Sequence, residues 1–325
     1  MPRPTIPEAP ERSQCRWLVC KNEGTKACSR CKTKYCGVEC QTKDWMFHKK
    51  FCGKKAYTFK FELLGSSNPK ITRIVDVPAW YTFQELHFVI QYAFGPWQQY
   101  HLHEFSYSTS PPNRSGAMSL APVQTVLKIL AEGEAPDPYA QLFGGRNTPH
   151  LYEKQVKLSD IYDPSGIHRS CVIHDGDLLP LTYLYDFGDN WEHLITFKGE
   201  KMAAADRPLF SKAVGYAPAE DAGGVRGWER VKEAFAAERP TREQLDLRKW
   251  ATERMGLEGR KDPLAVGDKT YSPLNEVNVT VMNYEGRWEN HYNGYREELG
   301  EKVENEFDSD HDSLDERFGG LDIEN

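Results

Sequence analysis

The sequence predicts an α+β protein in two modules, a small metal-bound finger followed by a larger domain of antiparallel sheet plus helices. Three observations carry this. Seven of the eight cysteines crowd between positions 15 and 52. Strand-like runs cluster early in the remaining chain and helix-like runs late, the segregation expected of α+β rather than of a doubly wound sheet. The two ends also carry opposite charge: residues 1–55 hold 13 Lys/Arg against 5 Asp/Glu, and residues 284–325 hold 4 against 14. The net charge of −7 therefore hides a basic head and an acidic end, which suits separate modules.

Length and composition bound the rest. A chain of 325 residues is enough for about two domains. Its 39% hydrophobic content and 23 Phe and Trp residues permit a sizeable core, while the mean hydropathy of −0.67 requires long polar segments around it. No apolar run reaches the roughly 18 residues of a membrane span, so no membrane partner is expected. The opening MPRPTIPEAPER has no apolar signal-peptide core. The expected compartment is reducing, cytoplasmic or nuclear, where structural disulfides are rare.

The stretch Cys40–Cys52, CQTKDWMFHKKFC, belongs to a series of eight potential ligands: Cys15, Cys20, Cys28, Cys31, Cys36, Cys40, His48 and Cys52. Structural zinc takes four sulfur or nitrogen ligands from close-spaced pairs, and Cys28/Cys31 and Cys36/Cys40 are such pairs. His48 and Cys52 lie four apart, on one face of a helix. An odd number of cysteines cannot pair off internally as disulfides. A catalytic thiolate needs one activated sulfur beside a base, not eight ligands in register. The spacing thus predicts two zinc ions, structural because protein side chains fill every coordination position.

These residues resemble a MYND-type zinc finger, whose pattern ends Cys-x3-Cys-x7-His-x3-Cys with Asp-Trp inside the helix. The resemblance covers residues 15–52, with one departure: four residues separate Cys15 from Cys20 where two are usual. It implies an interleaved arrangement, with Cys15, Cys20, Cys36 and Cys40 on one zinc and Cys28, Cys31, His48 and Cys52 on the other. It also implies a protein partner engaged through a short Pro-containing peptide. Trp45 and Phe51 are expected to pack on the metal cluster. MYND fingers often accompany SET methyltransferases, but no such cofactor motif is present in this sequence.

After Lys55 the pattern changes. YTFKFELL alternates Tyr57, Phe59, Phe61 and Leu63 against polar residues, a half-buried strand. TRIVDVP is a second strand. Thr82-Phe-Gln-Glu85 is a capping box opening a helix that Gly95-Pro96 ends. HLHEFSYS is another strand, and residues 108–150, rich in Pro, Gly, Ser and Asn, are expected to form a long loop insertion. LTYLYDF and WEHLITF are expected to pair as a hairpin across Gly188-Asp189-Asn190. GWERVKEAF and TREQLDLRKWATERM have helical spacing.

The segments FQELHFVIQYAFG, HLHEF, LYDFGDNWEH, PAEDAGGVRGWERVKEAF and DPLAVGDKTYSPLNEVN together are similar to the plasmid pRiA4b ORF-3-like family, over roughly residues 57–278. The resemblance implies the fold and brings no established reaction. The chain departs from the family where a CPPEDCGG-like segment is expected, having Ala217-Pro-Ala-Glu-Asp-Ala222 instead, so any metal that those thiols hold in relatives is lost to this chain.

The candidate polar residues of this domain are His87, His101, His103, Asp186, Asp189, Glu192, His193, Glu220 and Asp221. Converging, they would make a divalent-metal or acid–base site; dispersed, they fix turns and strand ends. Strand alternation places His101 and His103 on a face with Phe105 and Tyr107, and His193 with Trp191, Ile195 and Phe197, the setting of core histidines. Dispersal is the expectation, so the catalytic residues are left unknown. No GxSxG, HExxH, Walker or kinase pattern names a reaction.

The expected organisation is a disordered 1–12, a finger over 13–55, an α+β domain over 56–282 and an acidic, disordered tail over 283–325. The function expected is that of a zinc-binding adaptor or regulatory protein whose finger docks partner peptides. The alternatives are an enzyme of unknown reaction with its site in the middle domain, and a nucleic-acid-associated regulator drawing on the basic head.

Overall fold

The computed structural model describes residues 14–17, 20–95, 97, 101–109, 124–133, 148–300 and 323–324. The expected disorder of 1–12 and most of the acidic tail lie outside these residues. The chain divides into two compact units, one built mainly from residues 1–55 and the other from 56–201 and 207–303.

In the first unit, strands β1 (Lys26–Cys28) and β2 (Lys34–Tyr35) form a hairpin, followed by helix α1 (Val38–His48). The hairpin's turn is tight because Lys32 takes a positive φ of 62° and donates its amide to Cys28 O. So short a segment cannot bury a sufficient apolar core. Its interior consists of Tyr35, Cys15, Cys28 and Cys52, with Trp17 and Trp45 packed against them.

The second unit is organised by one eight-stranded sheet. Its strands are β3 (Lys55–Leu63), β4 (Thr72–Pro78), β5 (His103–Ser108), β6 (Thr125–Leu130), β7 (His150–Tyr152), β10 (Leu181–Tyr185), β11 (Trp191–Met202) and β12 (Leu209–Val214). Their order is β12-β4-β3-β11-β10-β5-β6-β7. All the described pairings are antiparallel except β6 with β7. Two-residue strands β8 (Ile173–His174) and β9 (Asp177–Leu178) form a separate ribbon.

Register makes the sheet one-sided. Tyr183 stands opposite His193 and Phe105, and Tyr185 opposite Trp191 and His103, so these side chains share a face. Tyr57, Phe59 and Phe61 alternate in the same way on β3 and are all buried. The other face carries cross-strand polar pairs: Thr58 donates to Asp76 at 2.6 Å and Lys128 to Glu104 at 2.8 Å.

Helix α2 (Phe83–Phe94) covers the aromatic face. Its capping box forms as predicted: the Thr82 side chain accepts from Glu85 N while the Glu85 carboxylate accepts from Thr82 N. Phe83 meets the ring of Phe105, His87 that of His103, and Phe94 that of His193. At the helix's far end the buried Arg73 guanidinium donates to the carbonyls of Ala93, Val214 and Gly215, where cations suit the negative end of the helix dipole. Helices α4 (Gly224–Ala236) and α5 (Arg242–Arg254) pack together, and Arg248 of α5 donates to the carbonyls of Ala234 and Ala237 at the end of α4. Two short helices are α3 (Leu158–Tyr162) and α6 (Val279–Met282).

Two expectations are corrected. The insertion expected over 108–150 contains strand β6, TVLKIL, paired with β5; the Pro- and Gly-rich flanks obscured its alternation. The tail expected from 283 begins later, because residues 285–298 form helix α7 (Glu285–Glu298). Its carboxylates suggested a solvated segment, but Trp288, Tyr292 and Tyr295 recur at helical spacing and fall on α2. Tyr295 stacks on Phe88 at 4.3 Å, Trp288 meets Tyr92 at 5.4 Å, and the Tyr292 hydroxyl donates to Glu85 at 2.9 Å.

Trp288 is 4% exposed, and Trp288→Ala is expected to cost about 3–5 kcal/mol of stability through lost burial and the cavity left behind. Chemical denaturation of the full chain measures it; a change below about 1 kcal/mol would show that α7 is a loosely held appendage.

Candidate functional site

The finger's ligands come from three local devices. The tight hairpin turn brings Cys28 and Cys31 together, α1 presents Cys40 and His48 from its inner side, and the turn after α1 returns Cys52, whose amide donates to His48 O at 3.0 Å. Cys15, Cys20, Cys36 and Cys40 form one group; Cys28, Cys31, His48 and Cys52 form the other, with ligand atoms in each group within 4.8 Å of one another. The grouping is the interleaved one that the resemblance implies.

The spacing fits zinc. Sulfurs about 2.3 Å from a tetrahedral ion stand about 3.8 Å apart. Here Cys20 and Cys36 are 3.6 Å apart, Cys36 and Cys40 3.4 Å, and Cys28 and Cys52 3.7 Å, with Cys31 Sγ 3.2 Å from His48 Nε2. All eight cysteines of the chain are free thiols. Crowded sulfurs disfavour one another's ionisation: contact with Cys36, then burial, pushes Cys40 up to about 12. A divalent cation reverses that, since coordinated thiols deprotonate outright. The two clusters therefore fit two structural zinc ions, each with four protein ligands.

Sequence reasoning missed Asp44. It is buried, and its Oδ2 accepts from Tyr35 OH at 2.6 Å and Arg16 Nε at 3.0 Å, tying α1 to β2 and to the segment between Cys15 and Cys20. Arg16 also lies over the Phe51 ring. The rings of Trp45 and Phe51 both meet that of His48, so they pack on the metal cluster as expected.

The middle domain's candidates separate into three groups, a partial correction to the expected dispersal. His87 and His103 stack at 3.7 Å beneath α2. His87 Nδ1 is 2.7 Å from Tyr183 OH, and His103 Nε2 is 2.8 Å from Glu153, a residue absent from the predicted set. His87, His103, Tyr183 and Glu153 are all buried. His193, fully buried, is hydrogen-bonded to Trp191 O and ringed by Phe94, Trp97 and Tyr183, the core role expected of it. Glu192, on the sheet's other face, joins neither group.

The third group is half-open. His101 Nε2 stands 3.7 Å from Asp186 Oδ2, 3.8 Å from Glu220 Oε1 and 4.0 Å from Asp221 Oδ1. Asp186 directly follows β10 and Asp221 precedes α4, so two distant segments must meet. Gly224 permits this: its φ is +69°, and a Cβ there would sit 2.4 Å from Asp189 O. Asp189 accepts from Gly223 N at 3.1 Å and so holds the junction. The backbone turns at Asp186 and Asp221 are also left-handed, with φ of 58° and 61°, a conformation Asp adopts more readily than most residues.

Among the described residues no helix is long and apolar enough to cross a membrane. Residues 15–52 match the MYND finger and residues 55–260 match the family described as plasmid pRiA4b ORF-3-like protein. The uncharacterized protein y4hQ of Sinorhizobium fredii is 32% identical over 104 residues, 28% of this chain and 54% of that protein, so the chain spans about half the length of this curated relative. A crystal structure of the protein of unknown function MM3350 from Methanosarcina mazei Go1 is similar at 27% identity, covering 71% of this chain and 98% of that one, with a TM-score of 0.47.

Elemental analysis of the purified chain is expected to give two zinc ions per molecule, and Cys52→Ser, which removes a ligand of the second cluster, to lower that number while the larger unit's melting transition persists. A zinc content near zero without chelators would remove the assignment.

Acid should destabilise the larger unit. Burial pushes His193 down to about 3 and His291 to about 4, and burial followed by the nearby His103 and His291 holds His87 well below the usual imidazole range. Unfolded histidines take up protons near 6.5, so below that pH the unfolded chain binds more protons than the native one. Stability present above about pH 6.5 is expected to fall toward about pH 4, by about 1.4 kcal/mol per pH unit for each histidine. Calorimetry of the wild type and of His291→Gln, which keeps a donor for Phe88 O, checks this: the variant should lose one histidine's share of the slope.

Proposed function

The chain belongs to the plasmid pRiA4b ORF-3-like family, and on that premise we propose that it acts as a zinc-dependent protein-interaction protein whose MYND finger holds a Pro-containing peptide of a partner. One observation carries the reading. The finger's metal sites are closed, yet α1 exposes Val38, Met46 and Phe47, with 57%, 62% and 48% of their surface open. A module this small has reason to bury such side chains, and a partner surface supplies the means.

Recognition of an extended Pro-containing segment suits that surface, because a polyproline-like peptide is already ordered and docks on apolar and aromatic side chains. The basic balance of residues 1–55 favours a peptide that also carries carboxylates. The zinc ions act indirectly in this reading: they fold the finger, and the finger presents α1.

Fluorescence polarisation with labelled Pro-containing acidic peptides tests the reading on the full, zinc-loaded chain. Met46→Lys and Phe47→Lys, both at exposed positions, are expected to weaken binding at least tenfold while two zinc ions remain bound. Tight RNA or DNA binding that falls steeply with salt, and that these two substitutions leave unchanged, would overturn it in favour of a nucleic-acid-associated role.

A further inference from the structure

We propose that His101, Asp186 and Asp221, with Glu220 behind them, form a third metal site, one that takes a first-row divalent cation such as Mn2+ in the larger unit. The proposal stands independently of the finger's role.

The size of the site is the first argument. His101 Nε2 is 3.7 Å from the Asp186 oxygen and 4.0 Å from the Asp221 oxygen, and all three ligand atoms lie within 4.8 Å of one another. A point equidistant from the three atoms of such a triangle lies at most about 2.5 Å from each, close to the oxygen and nitrogen bond lengths of divalent ions. The ligand atoms of each finger cluster lie within the same 4.8 Å of one another.

Orientation is the second. Asp186 and Asp221 each have one oxygen held from outside while the other is directed toward His101. Asp186 Oδ1 accepts from Gly188 N at 2.8 Å, and its Oδ2 is the atom near His101. Asp221 Oδ2 pairs with Arg254, and its Oδ1 is the atom near His101. Glu220, 1% exposed, is anchored at Oε1 by Tyr185 OH at 2.7 Å. Ligands oriented by their own hydrogen bonds in this way characterise metal sites.

Charge is the third. Asp186, Glu220 and Asp221 bring three carboxylates to one place, against the single guanidinium of Arg254. A divalent ion offsets what Arg254 leaves. One imidazole with two or three carboxylates suits a borderline first-row ion better than the thiolate-preferring environment of the finger. Asp221 remains 47% exposed, so the ion would be reached from solvent and would keep coordination positions open, as at catalytic and not structural sites.

The test uses the full chain with its finger loaded with zinc, titrated with Mn2+ and followed by electron paramagnetic resonance. The wild type is expected to bind one Mn2+ with micromolar affinity and to melt higher when saturated. Asp186→Asn keeps a residue tolerant of the left-handed turn and should weaken Mn2+ at least tenfold; His101→Ala should do the same. Melting without metal, compared with wild type, establishes that each variant is folded. Zn2+ added beyond two equivalents should compete for the same position. The proposal is overturned if neither ion binds beyond the finger's two, or if folded Asp186→Asn and His101→Ala bind as the wild type does. Arg254→Gln separates the remaining reading: a third metal site binds Mn2+ as tightly or tighter once the guanidinium is gone. A cluster that serves only as Arg254's counter-charge loses stability that Mn2+ does not restore.

Discussion

An eight-stranded sheet with one aromatic face is the constraint on which the larger unit rests. Tyr57, Phe59, Phe61, Phe105, Tyr107, Tyr183, Tyr185 and Trp191 are all fully buried on it. Each large apolar side chain removed from water contributes about 1.5–3 kcal/mol. The face must be covered, and α2 covers it together with Tyr162 of α3, with α7 laid in turn on α2. A polar group trapped beneath and left unsatisfied costs about 1–3 kcal/mol. That cost favours the His87–Tyr183–Gln91 and His103–Glu153 contacts and the carbonyls gathered around Arg73.

The same sheet sets the position of the half-open cluster. Strand β10 ends at Tyr185, whose ring belongs to the core and whose hydroxyl anchors Glu220. The next residue, Asp186, leaves the sheet through a left-handed turn and so brings its carboxylate to the end of the strand. The core residue and the cluster residue are adjacent in the chain but belong to different environments, one dry and one half-open. A rigid strand end holding a polar group at the rim of a packed core is how folded domains place functional side chains precisely.

The finger solves the opposite problem. It has no sheet of useful size, and its interior is largely sulfur and two or three rings. Metal binding supplies about 10–16 kcal/mol per zinc in finger peptides, more than so small an apolar interior can. Asp44 then does within the finger what cross-element packing does in the larger unit, tying helix, hairpin and N-terminal segment through Tyr35 and Arg16. With its interior committed to holding metal, the finger leaves Val38, Met46 and Phe47 of α1 outside.

Much was legible along the chain. Ligand types and spacing identified eight zinc ligands, alternation identified β3, β4, β5, β10 and β11 and their buried faces, and Thr82 marked a helix start that the structure caps as written. These are local properties, fixed by a period of two or of 3.6 residues or by a four-residue capping pattern. Strand β6 and helix α7 were hidden because composition around them imitates a loop and a solvated tail, and only packing partners reveal their apolar stripes. The pairing of His103 with Glu153, and the meeting of His101 with Asp186 and Asp221, were invisible for a different reason. They depend on which loops come together, and that is decided by strand register, by left-handed turns at Asp186 and Asp221, and by the close approach that Gly224 allows. Sequence by itself determined the ligands of the finger and the two faces of the sheet, because both are written in near-neighbour spacing. Tertiary structure alone decided which distant side chains share a site, because that requires a backbone path no local period encodes.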